Sequence, residues 1–188
     1  MRAQAHAVEI QIGGTTCTFE TGRIARQASG AVVARSGDTV ILATAVGAEQ
    51  SRKGAAFFPL TVEYREKLAA AGRIPGSYNR REGRISDHEI LVCRLIDRTV
   101  RSLFPRGYMA EVQIQVTVLS ADPVFDVTSL ALLAACAALH VSPIPCGGPA
   151  AGLRITGKDD TLRAFASQND RAESDLDFVV SSGPSGLV

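Results

Sequence analysis

The sequence predicts an α/β fold, in which helices pack on sheets built from short strands. The segment EVQIQVTV, residues 111–118, alternates strictly between polar and apolar residues, as a strand does when one of its faces is buried. Residues 86–105 have the spacing of an amphipathic helix, and residues 127–141 have the composition of a buried one. Because a strand near residue 151 follows the buried helix, we expect a right-handed crossover in a layered α/β arrangement.

The first part of the chain is predicted to consist of strands. Residues 8–12 alternate between apolar and polar side chains before a Gly-Gly turn, and residues 16–20 follow as an antiparallel partner. Residues 31–35 and 39–46 are rich in β-branched side chains and flank Ser-Gly-Asp, which predicts a hairpin. Residues 58–64 predict a further strand, with a proline near its start, where the missing donor is tolerated.

The helix that begins after Ser86 has a defined start and end. Ser86 and Glu89 have the spacing of a capping box, and Pro105 ends the run of apolar residues at helical spacing. Asp97 lies four residues before Arg101, so this pair is expected to form a salt bridge on the helix surface. We therefore expect the arginines of this helix to be structural or interfacial; they are Arg94, Arg98 and Arg101.

The second half begins with a helix whose surface is alanine and leucine nearly all round. Asp126 is its predicted N-cap, and Ser142-Pro143 ends it. A helix that is apolar on every side is buried between layers. Further strands are expected after it, at residues 151–155, 161–165 and 176–180, with a hairpin turn close to the last residue.

Composition indicates an ordinary globular domain in a reducing compartment. The 188 residues are 46% hydrophobic and 21% charged, with a net charge of only +1 and no tryptophan. The four cysteines show no C-x-x-C pairing, which argues against zinc and favours small buried thiols. The N-terminus has no apolar stretch of the kind a secretory signal needs, and the longest apolar run is too short to cross a bilayer, so no membrane partner is expected.

One loop concentrates positive charge in this otherwise balanced chain. Residues 72–85 contain three glycines and a proline, so the loop is irregular and able to present backbone and side chains to a ligand. Tyr78 stands two residues before Arg80 and Arg81, and stacking beside charge is the usual way in which single-stranded nucleic acid is held. A solvated, salt-bridged surface is the alternative interpretation.

Three sequence blocks carry a family resemblance. They are FFPLTVEYREKLAAAGRIPGSYNRREGRISDHEILVCRLIDRTVRSLFPRGY, then EVQIQVTVLSADP, then IPCGGPAAGLRI. Together they closely resemble the first core domain of polynucleotide phosphorylase. The match runs from about residue 8 to residue 180 and is densest at residues 57–123. The blocks R-R-E-G-R, R-L-I-D-R and L-F-P-x-G-Y in this order make the resemblance specific.

The resemblance implies a fold, an assembly and a reaction. The fold is the RNase PH-like ββαβα sandwich, similar to domain 2 of ribosomal protein S5. In that family, two such core domains precede RNA-binding KH and S1 domains, and the chains form a homotrimeric ring. The family shortens single-stranded RNA from the 3′ end with inorganic phosphate and Mg²⁺ or Mn²⁺, releasing nucleoside diphosphates. Residues 1–188 are then the first core domain, cut short at its C-terminal end, of a protein of the bacterial cytoplasm or, alternatively, of the mitochondrial matrix or plastid stroma.

The resemblance also implies which residues meet RNA. The family's first domain carries an F-F-R-R-like motif at the channel entrance, and the matching residues here are Tyr78, Asn79, Arg80 and Arg81, with Arg84 following. Asn79 departs from the motif, because an amide does not stack as an aromatic ring does. RNA is therefore expected to be held less tightly at this constriction than is usual in the family.

The catalytic groups of the family belong to its second core domain, as a Gly-Ser-Ser loop and two aspartates six residues apart. Here the equivalent loop, residues 122–126, has no serine. Asp177 matches the second aspartate, but Arg171 stands six residues earlier, and Asp175 and Asp177 are expected to be turn and strand-end carboxylates. We therefore expect neither a catalytic centre nor a metal in this chain.

Other interpretations of the whole chain stay open. The chain could be a complete, non-catalytic RNA-binding or architectural subunit of an RNA-degradation or ribonucleoprotein assembly. A self-contained RNase PH-like enzyme is disfavoured by the missing carboxylate at residue 171.

Overall fold

Two β-sheets and three α-helices make up the part of the chain that the structure describes. The structure is a computed structural model and describes residues 5–51, 54, 57–184 and 186–187. In chain order the elements are β1 His6–Ile12, β2 Thr15–Thr21, β3 Gly30–Ser36, β4 Thr39–Ser51, β5 Leu60–Glu66, α1 Asp87–Arg101, β6 Ala110–Ser120, α2 Val127–His140, β7 Ala151–Lys158, β8 Thr161–Ala164, α3 Gln168–Ala172, β9 Leu176–Gly183 and β10 Gly186–Leu187. A short 3₁₀ turn, Leu68–Ala71, follows β5.

The larger sheet has six strands in the order β1-β2-β3-β4-β6-β5. Its neighbours are antiparallel except for β5 and β6, which run parallel with Leu60 opposite Val112 and Tyr64 opposite Val116. Parallel neighbours need a crossover connection, and the chain makes it through the 3₁₀ turn, the basic loop and α1. This crossover places the arginine-rich loop of residues 72–85, called the basic loop below, at one end of the sheet, next to the edge strand β5.

Helix α2 packs between the two sheets and makes the core. It contacts β3, β4 and β6 of the larger sheet and β7 of the smaller one, whose order is β10-β9-β7-β8. Two glycines let the backbones approach. A Cβ on Gly30 would lie 2.2 Å from the carbonyl oxygen of Ala138, and one on Gly152 would lie 2.4 Å from a methyl group of Leu132. The predicted burial of this helix is confirmed, since Ala131, Ala134 and Ala138 are all 0% exposed.

The predicted crossover from the strand at residues 111–118, which is β6, through the buried helix α2 is wrong. Strands β6 and β7 lie in different sheets, so α2 connects two layers instead of two neighbours in one layer. Apolar side chains cover α2 on nearly every side, so the helix has no polar face to turn toward solvent and packs against a sheet on each side. For this reason the strand that follows it joins a second sheet. The parallel crossover in this fold is the one through α1.

The other predicted elements are confirmed, with shifted boundaries. Strand β4 continues to Ser51, five residues beyond the predicted end at residue 46, and β5 begins at Leu60 instead of residue 58. Between the strands predicted at residues 161–165 and 176–180, the chain also forms the short helix α3, which the sequence analysis did not predict. The hairpin expected near the last residue is present, with Gly183 opposite Gly186.

Two expectations reach positions that the structure does not cover. Residues 1–4, which bear on the absence of a secretory signal, lie outside the described residues, as does residue 185, which the expectation of a hairpin near the last residue includes. Within the described ranges, every helix is too short or too polar to cross a membrane.

Candidate nucleic-acid interface

The basic loop, residues 72–85, is held at both ends. Gly72 ends the preceding 3₁₀ turn in a left-handed conformation with φ of 66°, which glycine adopts without strain. At the other end, the predicted capping box at the start of α1 is confirmed, with Ser86 as N-cap and Glu89 as its partner. Inside the loop, Oε1 of Glu82 accepts a hydrogen bond at 2.8 Å from the amide of Leu68. The loop therefore projects from a fixed base.

Four of the residues predicted to contact RNA lie in one exposed turn of this loop, and Arg84 follows three residues after it. Tyr78 is 88% exposed, and Asn79, Arg80, Arg81 and Arg84 are exposed as well. The amide of Arg80 donates to the carbonyl of Ser77 at 2.8 Å and closes the turn. The Arg81 guanidinium donates through Nη1 to the carbonyls of Tyr78 at 3.0 Å and Arg80 at 3.1 Å. The turn therefore brings an aromatic ring and two guanidinium groups onto one solvent-facing surface.

The charge of these arginines is not neutralised within the described residues. None of the ion pairs found there involves Arg80, Arg81 or Arg84. The nearby carboxylate of Glu82 accepts its hydrogen bond from a backbone amide instead. The salt-bridged form of the alternative interpretation is thus absent from the described part of the chain, and an anionic ligand would meet guanidinium groups whose charge no carboxylate there neutralises.

The arginines of α1 divide into two groups. Arg101 has the structural role predicted for it: it pairs with Asp97 at 2.6 and 2.9 Å and donates to the carbonyls of Phe58 and Leu60 at 3.3 and 3.4 Å. Arg94 and Arg98 are exposed and take part in no ion pair among the described residues. Arg101 differs from the other two arginines because its guanidinium contacts the backbone at the start of the edge strand β5.

A network of buried and half-buried groups supports the base of the loop. The carboxylate of Glu89 accepts hydrogen bonds from the amide of Ser86 at 2.7 Å, its hydroxyl at 2.9 Å and the amide of Glu66 at 2.9 Å. Burial, the largest single influence, raises the pKa of Glu89, but the hydrogen bonds from Ser86 and Glu66 together outweigh it, so this pKa lies below its usual value. The hydroxyl of buried Tyr64 donates to Glu66 at 2.5 Å.

A cleft of about 490 Å³ opens at the foot of the loop. Its lining includes Lys67 and Ala71 from the start of the loop region, His88 from α1, Phe125 from the segment before α2, and Gln168 from α3. The lining also contains residues of the loop 122–126 and Arg171, which the family resemblance singles out separately. Reasoning from the sequence did not predict that they share a cleft, because the lining comes from distant parts of the chain.

Two carboxylates from the segments that correspond to the family's catalytic motifs, Asp126 and Asp177, are held by arginines. Arg154 on β7 donates through Nη1 to both oxygens of Asp177, at 2.7 and 2.8 Å, and its Nε lies 3.4 Å from Asp126. Arg171 adds an ion pair to Asp177 at 3.4 Å. Burial raises the pKa of Asp177, but the two guanidinium groups outweigh it, and the result is a lowered pKa. Asp126 also caps α2 by accepting from the amide of Ser129 at 3.3 Å.

These residues do not fit a divalent metal. A metal site of this kind needs carboxylate oxygens free to bind the ion, and both oxygens of Asp177 are engaged by Arg154 while a second cation stands at residue 171. Asp175 lies just before β9, where its amide donates to the carbonyl of Gly157 at 3.0 Å. The sequence feature from which this network could have been predicted is Arg154, the one charged residue in the apolar segment AGLRI, because a buried charge needs a partner.

Comparison with known proteins shows the family. The sequence model of RNase PH, described as the 3′ exoribonuclease family, domain 1, matches residues 15–145. The polyribonucleotide nucleotidyltransferase of Syntrophotalea carbinolica is 51% identical over 181 residues, which are 96% of this chain and 26% of that protein. That of Granulibacter bethesdensis is 51% identical over 180 residues, 96% of this chain and 25% of that protein. The chain thus spans about a quarter of the length of these curated relatives, and the expected resemblance is confirmed.

Solved structures confirm the expected fold. An Archaeoglobus fulgidus exosome with RNA bound to the active site matches with a TM-score of 0.67 and 13% identity, over 99% of this chain and 75% of that one. Rice Rrp46 matches with a TM-score of 0.66 and 16% identity, over 100% of this chain and 78% of that one. At such low identity the likeness concerns the fold alone, and the fold is the RNase PH-like one predicted from the sequence.

Proposed function

The chain belongs to the 3′ exoribonuclease family, as its domain 1, and from this membership we propose that it is the N-terminal core domain of a 3′-to-5′ phosphorolytic exoribonuclease. The parent protein is a polyribonucleotide nucleotidyltransferase, which uses inorganic phosphate to release nucleoside diphosphates from single-stranded RNA. Within it, this domain guides RNA and takes part in ring assembly. The chemistry takes place in a second core domain outside this chain.

The exposed turn at residues 78–81 carries the proposal of RNA guidance. It presents an aromatic ring with 88% of its surface exposed beside two guanidinium groups that have no acidic partner among the described residues. Guanidinium groups bind phosphates, and an exposed ring stacks on any base, so the turn suits single-stranded RNA of any sequence. Asn79 and Arg84 extend the same surface as further polar contacts.

The arginine network supports the assignment of catalysis to another domain. Phosphorolysis needs groups that hold phosphate and carboxylates that bind Mg²⁺ or Mn²⁺ near the leaving oxygen. In this chain Asp177 is paired with Arg154 and Arg171, and Asp126 caps a helix. We therefore place the metal ion and the phosphate in the second core domain of the parent protein.

The assembly and the compartment are part of the same proposal. We take the parent protein to form a homotrimeric ring that places the basic loops around a central channel, within an RNA-degrading assembly. The curated relatives come from bacteria such as Syntrophotalea carbinolica and Granulibacter bethesdensis, which favours the bacterial cytoplasm.

RNA binding by this chain tests the proposal directly. We expect the purified chain to bind a fluorescently labelled single-stranded RNA, measured by anisotropy, and to lose most of that affinity when Arg80 and Arg81 are replaced by alanine. Unchanged affinity in that double variant would contradict RNA guidance by the loop. The parent reading frame distinguishes the proposal from a complete non-catalytic subunit, because the proposal requires a second core domain with paired aspartates and a Gly-Ser-Ser loop.

A further inference from the structure

The proposal above assigns no ligand to the cleft at the foot of the basic loop, although Asp126 and Arg171 of the arginine network belong to its lining. Both ends of the loop region line it: Ala71 ends the 3₁₀ turn before the loop, and His88 lies in the first turn of α1 after it. The opposite wall comes from the segment between β6 and α2, including Phe125, and from Gln168 of α3. An RNA strand bound along the loop therefore passes this cleft where the loop joins the fold.

Size and apolar lining make the cleft suitable for a flat organic group. Its volume of about 490 Å³ lies within the range of small-molecule sites. Apolar side chains form a large part of its lining; they include Leu68, Ala70, Ala71, Val118, Phe125 and Val127. A nucleobase has apolar faces of the kind that such a lining buries.

Three polar side chains of the lining are uncommitted within the described residues. The Lys67 ammonium, the Thr128 hydroxyl and the Gln168 amide make no hydrogen bond or ion pair there, although all three line the cleft. A hydroxyl and an amide both donate and accept hydrogen bonds, which suits base edges and ribose hydroxyls. An ammonium suits a phosphate at the entrance.

The charges around the cleft favour an uncharged occupant. Its lining carries three carboxylates, from Glu66, Asp122 and Asp126, and two permanent cations, Lys67 and Arg171. A small multivalent anion would meet these carboxylates on entering, whereas a nucleoside carries no charge of its own. The phosphates on either side of the nucleoside would remain with the arginines of the loop.

We propose that the cleft holds one nucleoside of the single-stranded RNA that the basic loop binds. The inference rests on the proposed function, since it adds a base-binding subsite to the same interface. The loop holds the RNA backbone and stacks one base on Tyr78, while the cleft receives a second base at the foot of the loop.

Two alanines of one 3₁₀ turn provide a matched test. Ala71 and Ala69 are both exposed residues of this turn, but only Ala71 lines the cleft. With a labelled oligoadenylate of about 10 nucleotides, we expect Ala71→Leu to weaken binding roughly 5- to 20-fold, the effect of losing one stacked base. Ala69→Leu adds the same side chain outside the cleft and should bind as the unaltered chain does.

An abasic nucleotide moved along the oligonucleotide identifies the base concerned. In the unaltered chain we expect two sensitive positions, one for Tyr78 and one for the cleft. Ala71→Leu should abolish sensitivity at the cleft position and preserve it at the Tyr78 position. Gln168→Ala is a second variant, which removes a polar group of the lining without adding bulk, and it should also weaken binding. It tests the subsite independently in case Ala71→Leu lowers the melting temperature.

The outcomes separate the two proposals. Equal affinities for Ala71→Leu, Gln168→Ala and Ala69→Leu, with one abasic-sensitive position in each, would overturn the cleft subsite. The loop proposal would then stand as long as Arg80→Ala/Arg81→Ala still weakens binding. Full affinity in that double variant would overturn the loop proposal and, with it, the subsite.

Discussion

The backbone amide of Glu66 donates a hydrogen bond at 2.9 Å to the carboxylate of Glu89, which joins the last residue of β5 to the first turn of α1. The other oxygen of the same carboxylate accepts from the amide of Ser86 at 2.7 Å. One side chain thus accepts a hydrogen bond from an amide of the edge strand and another from the N-cap amide of a helix, where backbone partners are scarce. Because Glu66 and Ser86 stand on either side of the basic loop, Glu89 closes the base of the loop.

Replacing Glu89 by glutamine should destabilise the fold. The amide that takes the place of the carboxylate has one oxygen for the three hydrogen bonds that Glu89 accepts, and its NH₂ group can accept none of them. We expect a cost of about 1–3 kcal/mol in the free energy of unfolding. Urea denaturation at neutral pH measures this change. Glu111→Gln, at an exposed position of β6, is the matched control, and an equal stability of the two variants would contradict the role of Glu89.

The effect of Glu89 should depend on pH. Hydrogen bonds lower its pKa in the folded chain in spite of burial, so the carboxylate stabilises the fold fully above its unfolded pKa of about 4.3. That stabilisation is lost as the pH falls through the lower, folded-state pKa. The stability gap between the unaltered chain and Glu89→Gln should therefore narrow in acid. A gap of constant size from neutral pH to below the folded-state pKa would show that the charge contributes nothing.

Replacing Arg154 by methionine should destabilise the chain more than replacing a surface arginine. Asp126 and Asp177 would lose their shared cation, and we expect a cost of about 3 kcal/mol, the range for breaking a largely buried pair. Arg163→Met, which breaks an exposed pair with Asp170, should cost about 0–1 kcal/mol. The double variant Arg154→Met/Asp177→Asn should recover part of the loss, and no recovery would mean that packing, not charge, explains the effect.

Replacing Arg80 and Arg81 by alanine should weaken RNA binding regardless of RNA sequence. Each phosphate contact with a single strand contributes a slope of about −0.7 to the log–log dependence of affinity on salt, so losing both arginines should flatten it by roughly one to two units. Anisotropy titrations at several salt concentrations measure the slope. Arg23→Ala/Arg26→Ala removes the same charge from two exposed positions elsewhere and should change the slope little.

Replacing Tyr78 by alanine should weaken RNA binding without changing its salt dependence. Loss of one stacked base costs about 1–3 kcal/mol, and stacking releases no counterions. The same titrations test this prediction. Tyr78→Ala keeps the backbone carbonyl that accepts from Arg81, so the variant removes only the ring. A slope that changed as much as in the arginine double variant would contradict a stacking role for that ring.

The chain alone should show no phosphorolysis. Incubation with single-stranded RNA, inorganic phosphate and Mg²⁺ or Mn²⁺ should release no nucleoside diphosphate, because both oxygens of Asp177 are held by Arg154. Chromatography of the reaction mixture detects the product. Release of product at a rate that Asp177→Asn abolished would place an active site in this domain.

Local sequence patterns predicted most of the fold because the elements follow local rules. The capping box at Ser86 and the alternation in β6 each depend on residues a few positions apart, and both are confirmed. The connection through α2 was mispredicted because sheet membership depends on long-range pairing. Whether β7 pairs with β6 or with β9 is decided by packing on both sides of α2, which no short pattern encodes.

The candidate site was predictable only in part, for the same reason. The turn at residues 78–81 is contiguous, so its composition indicated an interface. The cleft at its foot combines Lys67, Phe125 and Gln168, which the chain brings together from three separate segments. The pairing of Arg154 with Asp177 likewise required the register of β7 against β9.

The two glycines that flank α2 have a consequence for how this domain can change. Gly30 approaches the helix from the larger sheet and Gly152 from the smaller one, and a Cβ on either would meet an atom of the helix within 2.4 Å. A larger residue on either side would push the helix toward the other sheet, where there is equally little space. The substitutions that one sheet tolerates are thus limited by the packing of α2 against the other sheet. The relative position of the two sheets, and with it that of the basic loop and the arginine network, is therefore fixed by the helix and not by the residues of the loop or the network themselves.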